Sequence, residues 1–533
     1  MQRKRENTRF LHRIKAEREG ECVMNTVQIL MMLTILIYLA AMIWIGAILS
    51  GKNRTTDDFY LGGRKLGPFV TAMSAEASDM SSWLLMGLPG VAYLSGICDA
   101  AWTAIGLAVG TWLNWFFVSR KLRRYSNNIG AITVPDFFAK RFHDKNNVIT
   151  ALSALVIIIF FIPYTASGFA ACGKLFNSLF GINYQVAMML SALLIVGYTI
   201  TGGFNAVCVT DLVQSIVMTG ALAIVLIYGI SRAGGWTAVM DNAAALPGYL
   251  SLTSTFDVAS GSEVKYNFLT IISTAAWGLG YFGMPHILVR FMAIEDEKKL
   301  VLSRRIASVW VVIAMTAGLL IGVVGLGMSK AGALETLTGS NSETIIVRIA
   351  GIISQHNALT ALIAGIILAG ILAATMSTAD SQMLAAASGV SQNIVYDFLK
   401  IKISEKTNLL IARLTIVGIA VVSIFLARNP DSSVFKIVSF AWAGFGGAFG
   451  AVVLCSLFWK RCNLAGAIAG IVSGGATVFI WKYLVRPLGG ILDIYELLPA
   501  FIVSLIFIIV VSLLTKAPDE EIIREFEAAG KKA

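Results

Sequence analysis

Asp79 is a carboxylate in an apolar stretch. It lies with Glu76, Ser81 and Ser82 in residues 67–96, a run otherwise long and apolar enough to cross a membrane. A charged side chain at mid-membrane costs about 2.5–3.5 kcal/mol on insertion scales, so Asp79 must be held by a bound cation or by hydrogen bonds that fix a break in the helix. Glu76, three residues earlier on the same face, adds a second carboxyl close enough to repel the first; it is expected to carry a proton or to turn toward the cytoplasmic mouth. In the segment Ala374 to Ser381, the hydroxyls of Ser377, Thr378 and Ser381 fall on one turn or one face. Hard oxygen ligands suit an alkali cation, although serine and threonine also bond back to the carbonyls of their own helix. Trp277 and Tyr281 are four residues apart, which on an α-helix turns both rings to the same space, as packing or as the walls of a ligand box. Asp211 follows Gly202-Gly203 and opens an apolar stretch, where a helix N-cap is one role open to it.

What must position these groups is an all-α polytopic membrane fold. Of 533 residues, 57% are hydrophobic and 14% charged, and the mean hydropathy is +0.76, which excludes a water-soluble enzyme. Thirteen spans are read near 26–49, 67–96, 100–119, 147–173, 184–203, 212–231, 267–289, 306–329, 358–387, 409–427, 436–459, 463–481 and 497–515. The tenth carries Arg413 in its first turn, whose head must snorkel. Cys22, Cys98, Cys172, Cys208, Cys455 and Cys462 form no CxxC pair, and His12, His143, His286 and His356 are scattered. No disulfide framework, metal cluster or organic cofactor is expected, and no nucleophile stands paired with a base, so no enzyme is expected either.

The net charge of +11 is spread over short loops, which speaks for the lipid bilayer as partner and against nucleic acid. By the positive-inside rule, Lys52, Arg54, Arg64 and Lys65 mark a cytoplasmic loop, as do Arg120, Lys121, Arg123, Arg124, Lys140, Arg141 and Lys145. The same parity takes in Arg290, Lys298, Lys299, Arg304 and Arg305, then Lys400, Lys402 and Lys406, then Lys460 and Arg461, and a cytoplasmic tail over 516–533. The N-terminus then lies outside, against the charge of the basic segment 1–23. That segment is read as a disordered extension or a start-site artefact ahead of Met24, with the transmembrane domain over 24–515.

Two spans are interrupted. The second breaks at Gly87-Leu88-Pro89-Gly90 and the seventh at Gly278, Gly280, Gly283 and Pro285. Backbone freed in this way is tolerated at membrane depth only where it lines a cavity. The two breaks lie five spans apart, as equivalent first helices of two inverted five-helix repeats would, so a 5+5 core over spans 2–11 is expected.

Leu61-Gly62-Gly63-Arg64, Gly67-Pro68-Phe69-Val70, residues 74–89, Gly202 to Gln214, Trp277 to His286 and Ala441 to Gly446 together resemble the sodium:solute symporter family, most closely its sodium/proline branch. The resemblance runs over residues 26–518. It implies thirteen helices, N-out and C-in, a leucine-transporter type of core and alternating access in the cell membrane. It further implies a sodium site built from backbone carbonyls of Ala77, Met80 and Ala374 and hydroxyls of Ser377 and Thr378. Asp79 and Ser81 match residues tied to sodium coupling, and Asp211 an acidic residue on the inward sodium path. Tyr164, Trp277, Tyr281 and Pro285 match positions of the proline pocket. The chain departs from the family pattern at Glu76, Ser82 and Ser381, where glycine, glycine and cysteine are common. The function implied is sodium-coupled uptake of L-proline, with sodium as coupling ion and no obligate protein partner; a symporter of the same family for another small organic solute is the alternative.

Overall fold

The computed structural model describes residues 25–50, 56–401 and 404–530; the segment 1–23 and Lys52, Arg54 and Lys402 lie outside them. Among the described residues, ten helices are long and apolar enough to cross a membrane: α1 (Thr26–Leu49), α4 (Ile97–Asn128), α6 (Val148–Phe180), α8 (Gly202–Arg232), α11 (Glu297–Lys330), α13 (Ala358–Phe398), α14 (Glu405–Leu426), α15 (Val434–Phe458), α16 (Leu464–Leu488) and α17 (Leu497–Leu514). Three shorter apolar helices stand with them, α3 (Trp83–Ser95), α7 (Tyr184–Ile200) and α9 (Phe268–Gly283). They fall in the second, fifth and seventh spans read from the sequence, which are the interrupted or kinked ones.

Each interruption has a local cause. The second span is divided into α2 (Pro68–Asp79) and α3, and Met80 leaves the helical region at φ −79°, ψ 67°; the break lies here and not at Gly87-Leu88-Pro89-Gly90, where Gly87 and Leu88 keep helical angles and a π-helical turn over Trp83–Gly87 accommodates Pro89. The seventh is divided into α9 and α10 (Pro285–Ala293), where Met284 is extended and Pro285 takes the first turn that proline favours. Between α7 and α8 the chain turns at Gly203, with φ 66° and ψ 178°, a conformation that excludes a side chain. Arg413 lies on an exposed face of α14, which begins about one turn earlier than the apolar run suggested because Ser404 caps it through the Thr407 N–H.

Burial sorts the helices into layers. Most of α13 and α15 is enclosed, whereas α1, α14 and α16 bury only about a third of their apolar windows and turn Trp44, Leu414 and Leu484 outward. Basic residues from separate connections gather at one end. Arg64 donates to the carbonyls of Met292, Ser126 and Ala131, Arg124 pairs with Glu297 at 2.6 Å, and Arg141, on α5 (Val134–Arg141), donates to the Ser456 carbonyl at 2.9 Å. The final helix α18 (Glu520–Gly530) seats Phe526 at this end, under Lys121 and Arg141.

Candidate functional site

The end of α2 supplies bare carbonyls. In an unbroken helix the Ser81 N–H would bond to Ala77; instead it donates to Asp79 O at 2.8 Å, and the Met80 N–H reaches Glu76 O at 2.9 Å. The Ala77 carbonyl is thereby released, and Ser377 on α13 donates its hydroxyl to it at 2.8 Å and to Ala374 O at 3.2 Å. Thr378 donates to Ala374 O at 3.2 Å. Ala77, Met80, Ala374, Ser377 and Thr378 are all buried. The back-bonding open to these hydroxyls is real, and it coexists with a bridge between two helices. Oxygen atoms of this kind, without sulfur or nitrogen, suit a hard monovalent ion.

Asp79 is fully buried and accepts a hydrogen bond from the Tyr281 hydroxyl on Oδ2. Its carbonyl accepts from Tyr164 at 3.2 Å, so α2, α6 and α9 meet at one residue. Ser81 Oγ accepts from the Trp83 N–H at 3.3 Å and starts α3. Glu76 does not face the cytoplasmic mouth: it is buried, and Trp115 on α4 donates its indole N–H to it at 2.8 Å.

Trp277 and Tyr281 are joined by a third ring. Residues 276–283 form a 3-10 helix, in which residues three apart, not four, line up. Trp442 on α15 bridges them, donating to the Trp277 carbonyl at 2.7 Å, lying stacked at 6.3 Å from its ring and edge-on at 5.1 Å to Tyr281. Tyr495 also stacks on Trp277, at 5.2 Å. Gly280 makes this approach possible, since a Cβ there would lie 2.0 Å from Trp442 Nε1. Pro285 lines a separate cavity of about 30 Å³ with Tyr60, Phe204, His286, Arg290 and Ser381.

Asp211 is no N-cap. It lies inside α8, buried, and accepts from Ser74 at 2.6 Å and from Arg290 at 3.2 Å. The match of the whole chain to known proteins gives this arrangement its context. The sodium:solute symporter family model matches residues 59–474. The chain belongs to the sodium:solute symporter family. It is 41% identical to the sodium/proline symporter of Salmonella typhimurium over 94% of this chain and 96% of that one. It is 40% identical to the osmoregulated proline transporter OpuE of Bacillus subtilis over 92% and 96%. A solved Na+-coupled sialic acid symporter, 20% identical, superposes with a TM-score of 0.75 over 92% of this chain and 98% of that one, and so shares its fold. The chain is a multi-pass protein of the cell membrane.

Sequence reasoning on this symporter passed over three residues. Arg290, counted among the loop charges, turns inward: Nε donates to Ser74 at 3.0 Å, Nη1 to the His286 carbonyl at 2.7 Å, and Nη2 to Ser381 at 2.6 Å as well as to Asp211. Asp380, adjacent to Ser381, accepts its hydroxyl at 3.3 Å. At the opposite end Glu343, just ahead of α12 (Ile345–Ser354), pairs with Lys174 at 2.8 Å and caps α15, accepting from Ser433 Oγ and from the Val434 and Phe435 N–H groups. Glu343 had no local signal, whereas Asp380, a carboxylate inside the apolar run 358–387, carried the same one as Asp79. Arg290 had one, since it stands between the apolar residues Ile287-Leu288-Val289 and Phe291-Met292-Ala293.

Proposed function

We propose that the protein takes up L-proline by sodium symport with alternating access, through thirteen spans arranged N-out and C-in, with a 5+5 inverted-repeat core over spans 2–11. The observation that carries this reading is the meeting at Asp79 of the broken α2, Tyr164 of α6 and Tyr281 of α9, beside the Ser377 bridge. It is supported by two proline-transporting relatives at about 40% identity over nearly their whole length, and by the gathering of basic residues at one end of the molecule. Residues 24–515 form the transporting domain and 516–533 a cytoplasmic tail.

In this reading sodium binds between α2 and α13 through the carbonyls of Ala77, Met80 and Ala374 and the hydroxyls of Ser377 and Thr378. Asp79, Ser81 and Asp211 serve sodium coupling and Tyr164, Trp277, Tyr281 and Pro285 the substrate. Proline offers a carboxylate, a compact ring and a secondary ammonium. Helix ends at the breaks suit the first, and aromatic faces suit the other two. An ion that ties α2 to α13 favours the conformation that binds proline, and by linkage proline favours sodium equally. One charge moved through 100 mV supplies about 2.3 kcal/mol and a tenfold sodium gradient about 1.4 kcal/mol. Together they sustain roughly a few hundredfold accumulation.

The deciding experiment is uptake of radiolabelled proline into proteoliposomes with and without an inward sodium gradient. Sodium-driven accumulation, competed by proline and not by pantothenate, sugars or short carboxylates, is expected; sodium-dependent uptake of one of those solutes instead selects the alternative. Trp277→Ala removes a stacked ring and is expected to weaken proline binding about tenfold, on the scale of 0.5–1.5 kcal/mol for an aromatic contact beyond its area, with the sodium response retained. An equal loss of both responses in the uptake assay would count against a pocket role. Glu343→Gln removes the charge that holds Lys174 and the start of α15, a contribution of about 1.5–3 kcal/mol for bonds to a charged group. It is expected to raise labelling of a cysteine placed at Phe435 by a membrane-impermeant maleimide about tenfold or more, which thiol-labelling rates would read.

A further inference from the structure

Inside the bundle, away from Ser377 and Thr378, five side chains close a circuit. Trp115 donates to Glu76 Oε1, Tyr281 donates to Asp79 Oδ2, and Asn114, next to Trp115, donates its amide to the carbonyl of the same Tyr281 at 3.0 Å. Glu76 and Asp79, one turn apart on α2, complete it. All five residues are buried. Three of them keep an oxygen with no donor among the described residues: Glu76 Oε2, Asp79 Oδ1 and Asn114 Oδ1.

The indole and phenol hydrogens of the circuit are already committed, so they satisfy none of these oxygens. Buried carboxylate oxygens without donors are costly unless a positive charge is near. The buried guanidinium bonded to α2, that of Arg290, is directed to Ser74, His286, Asp211 and Ser381, and among the described residues no cation is bonded to Glu76 or Asp79. Two carboxylates and an amide carbonyl are instead a ligand set for a hard, small monovalent cation. We infer that Glu76, Asp79 and Asn114 form a second cation site, for sodium or lithium, held within the bundle by α2, α4 and α9. The sodium proposed above bridges α2 and α13; the ligands of this one come from α2 and α4 and none from α13. An ion bound equally in both conformations shifts no equilibrium between them, so this ion is resident and adds to the number bound without driving transport. A glycine at position 76 removes its chief ligand.

The test is equilibrium binding of radioactive sodium to the purified full-length protein in detergent, counting ions per chain. Two ions are expected for the wild type, one for Glu76→Gln, whose amide oxygen still accepts from Trp115, and one for Ser377→Ala. Asn114→Leu, which keeps both carboxyls, is expected to weaken one of the two ions tenfold or more and decides the matter if Glu76→Gln does not yield a monodisperse protein. Equal counts for wild type and Glu76→Gln, or unweakened binding in Asn114→Leu, overturn the site. Loss of one ion with Glu76→Gln but none with Ser377→Ala would sink the bridging site and leave this one standing.

Discussion

Replacing Asp79 with asparagine is expected to raise the sodium concentration at half-maximal proline uptake by one to two orders of magnitude, while the amount of protein in the membrane changes little. The substitution keeps the shape of the side chain and an oxygen for the Tyr281 hydroxyl, and it leaves the backbone carbonyl that Tyr164 bonds. What it removes is a negative charge beside the carbonyls that α2 exposes at its end. Interactions with a charged group contribute about 1.5–3 kcal/mol, and each 1.4 kcal/mol is a factor of ten in affinity. Uptake measured against sodium concentration in proteoliposomes reads the shift. An unchanged sodium dependence would remove Asp79 from coupling and leave it as the pin of the helix break.

The second large effect is expected at Arg290. Its guanidinium makes four buried contacts, one of them ionic, to Ser74, His286, Asp211 and Ser381, so Arg290→Met removes the cation bonded to the buried Asp211. Breaking a buried pair by removing one partner costs about 3–5 kcal/mol, enough to reduce folded protein or transport by two orders of magnitude or more. Arg290→Lys is not expected to restore it, because an ammonium has three donors on a flexible stem and lacks the planar fork that spans these acceptors. The informative variant is the double one. Adding Asp211→Asn to Arg290→Met removes the unpaired charge, and a cycle of thermal stabilities in detergent should show strong coupling between the two positions. Purely additive losses would show that the pair contributes nothing as a pair.

The two experiments probe residues that differ in how far the chain alone announced them. Asp79 was conspicuous because a carboxylate among apolar residues is expensive wherever it ends up, and that cost is a property of composition and position. The spans were legible for the same reason: lipid demands about twenty apolar residues per crossing, and the glycines and proline at 278–285 interrupt one of those runs, whereas the break of the second, read at 87–90, falls at Met80, which no glycine or proline marks. Arg290 was misjudged as one more loop charge because it falls just past the end of the seventh apolar run, and its partners Ser74, Asp211 and Ser381 lie 79 to 216 residues away. The pairing of Glu76 with Trp115, across 39 residues, was hidden in the same way.

Trp277 and Tyr281 show the limit within a single element. A spacing of four implies a shared face only if the backbone is α-helical, and the glycines around them wind it into a 3-10 turn, so it is Trp442, 165 residues beyond Trp277, that brings the two rings together. By itself, then, the order of residues determined the membrane class, the glycine- and proline-marked break of the seventh span and the carboxylate that needs a partner, since each follows from the free energy of a local segment in lipid or water. Which side chain answers which across the bundle was decided only by the tertiary structure, because a hydrogen bond or ion pair between distant segments exists at a distance and an angle that no local preference encodes.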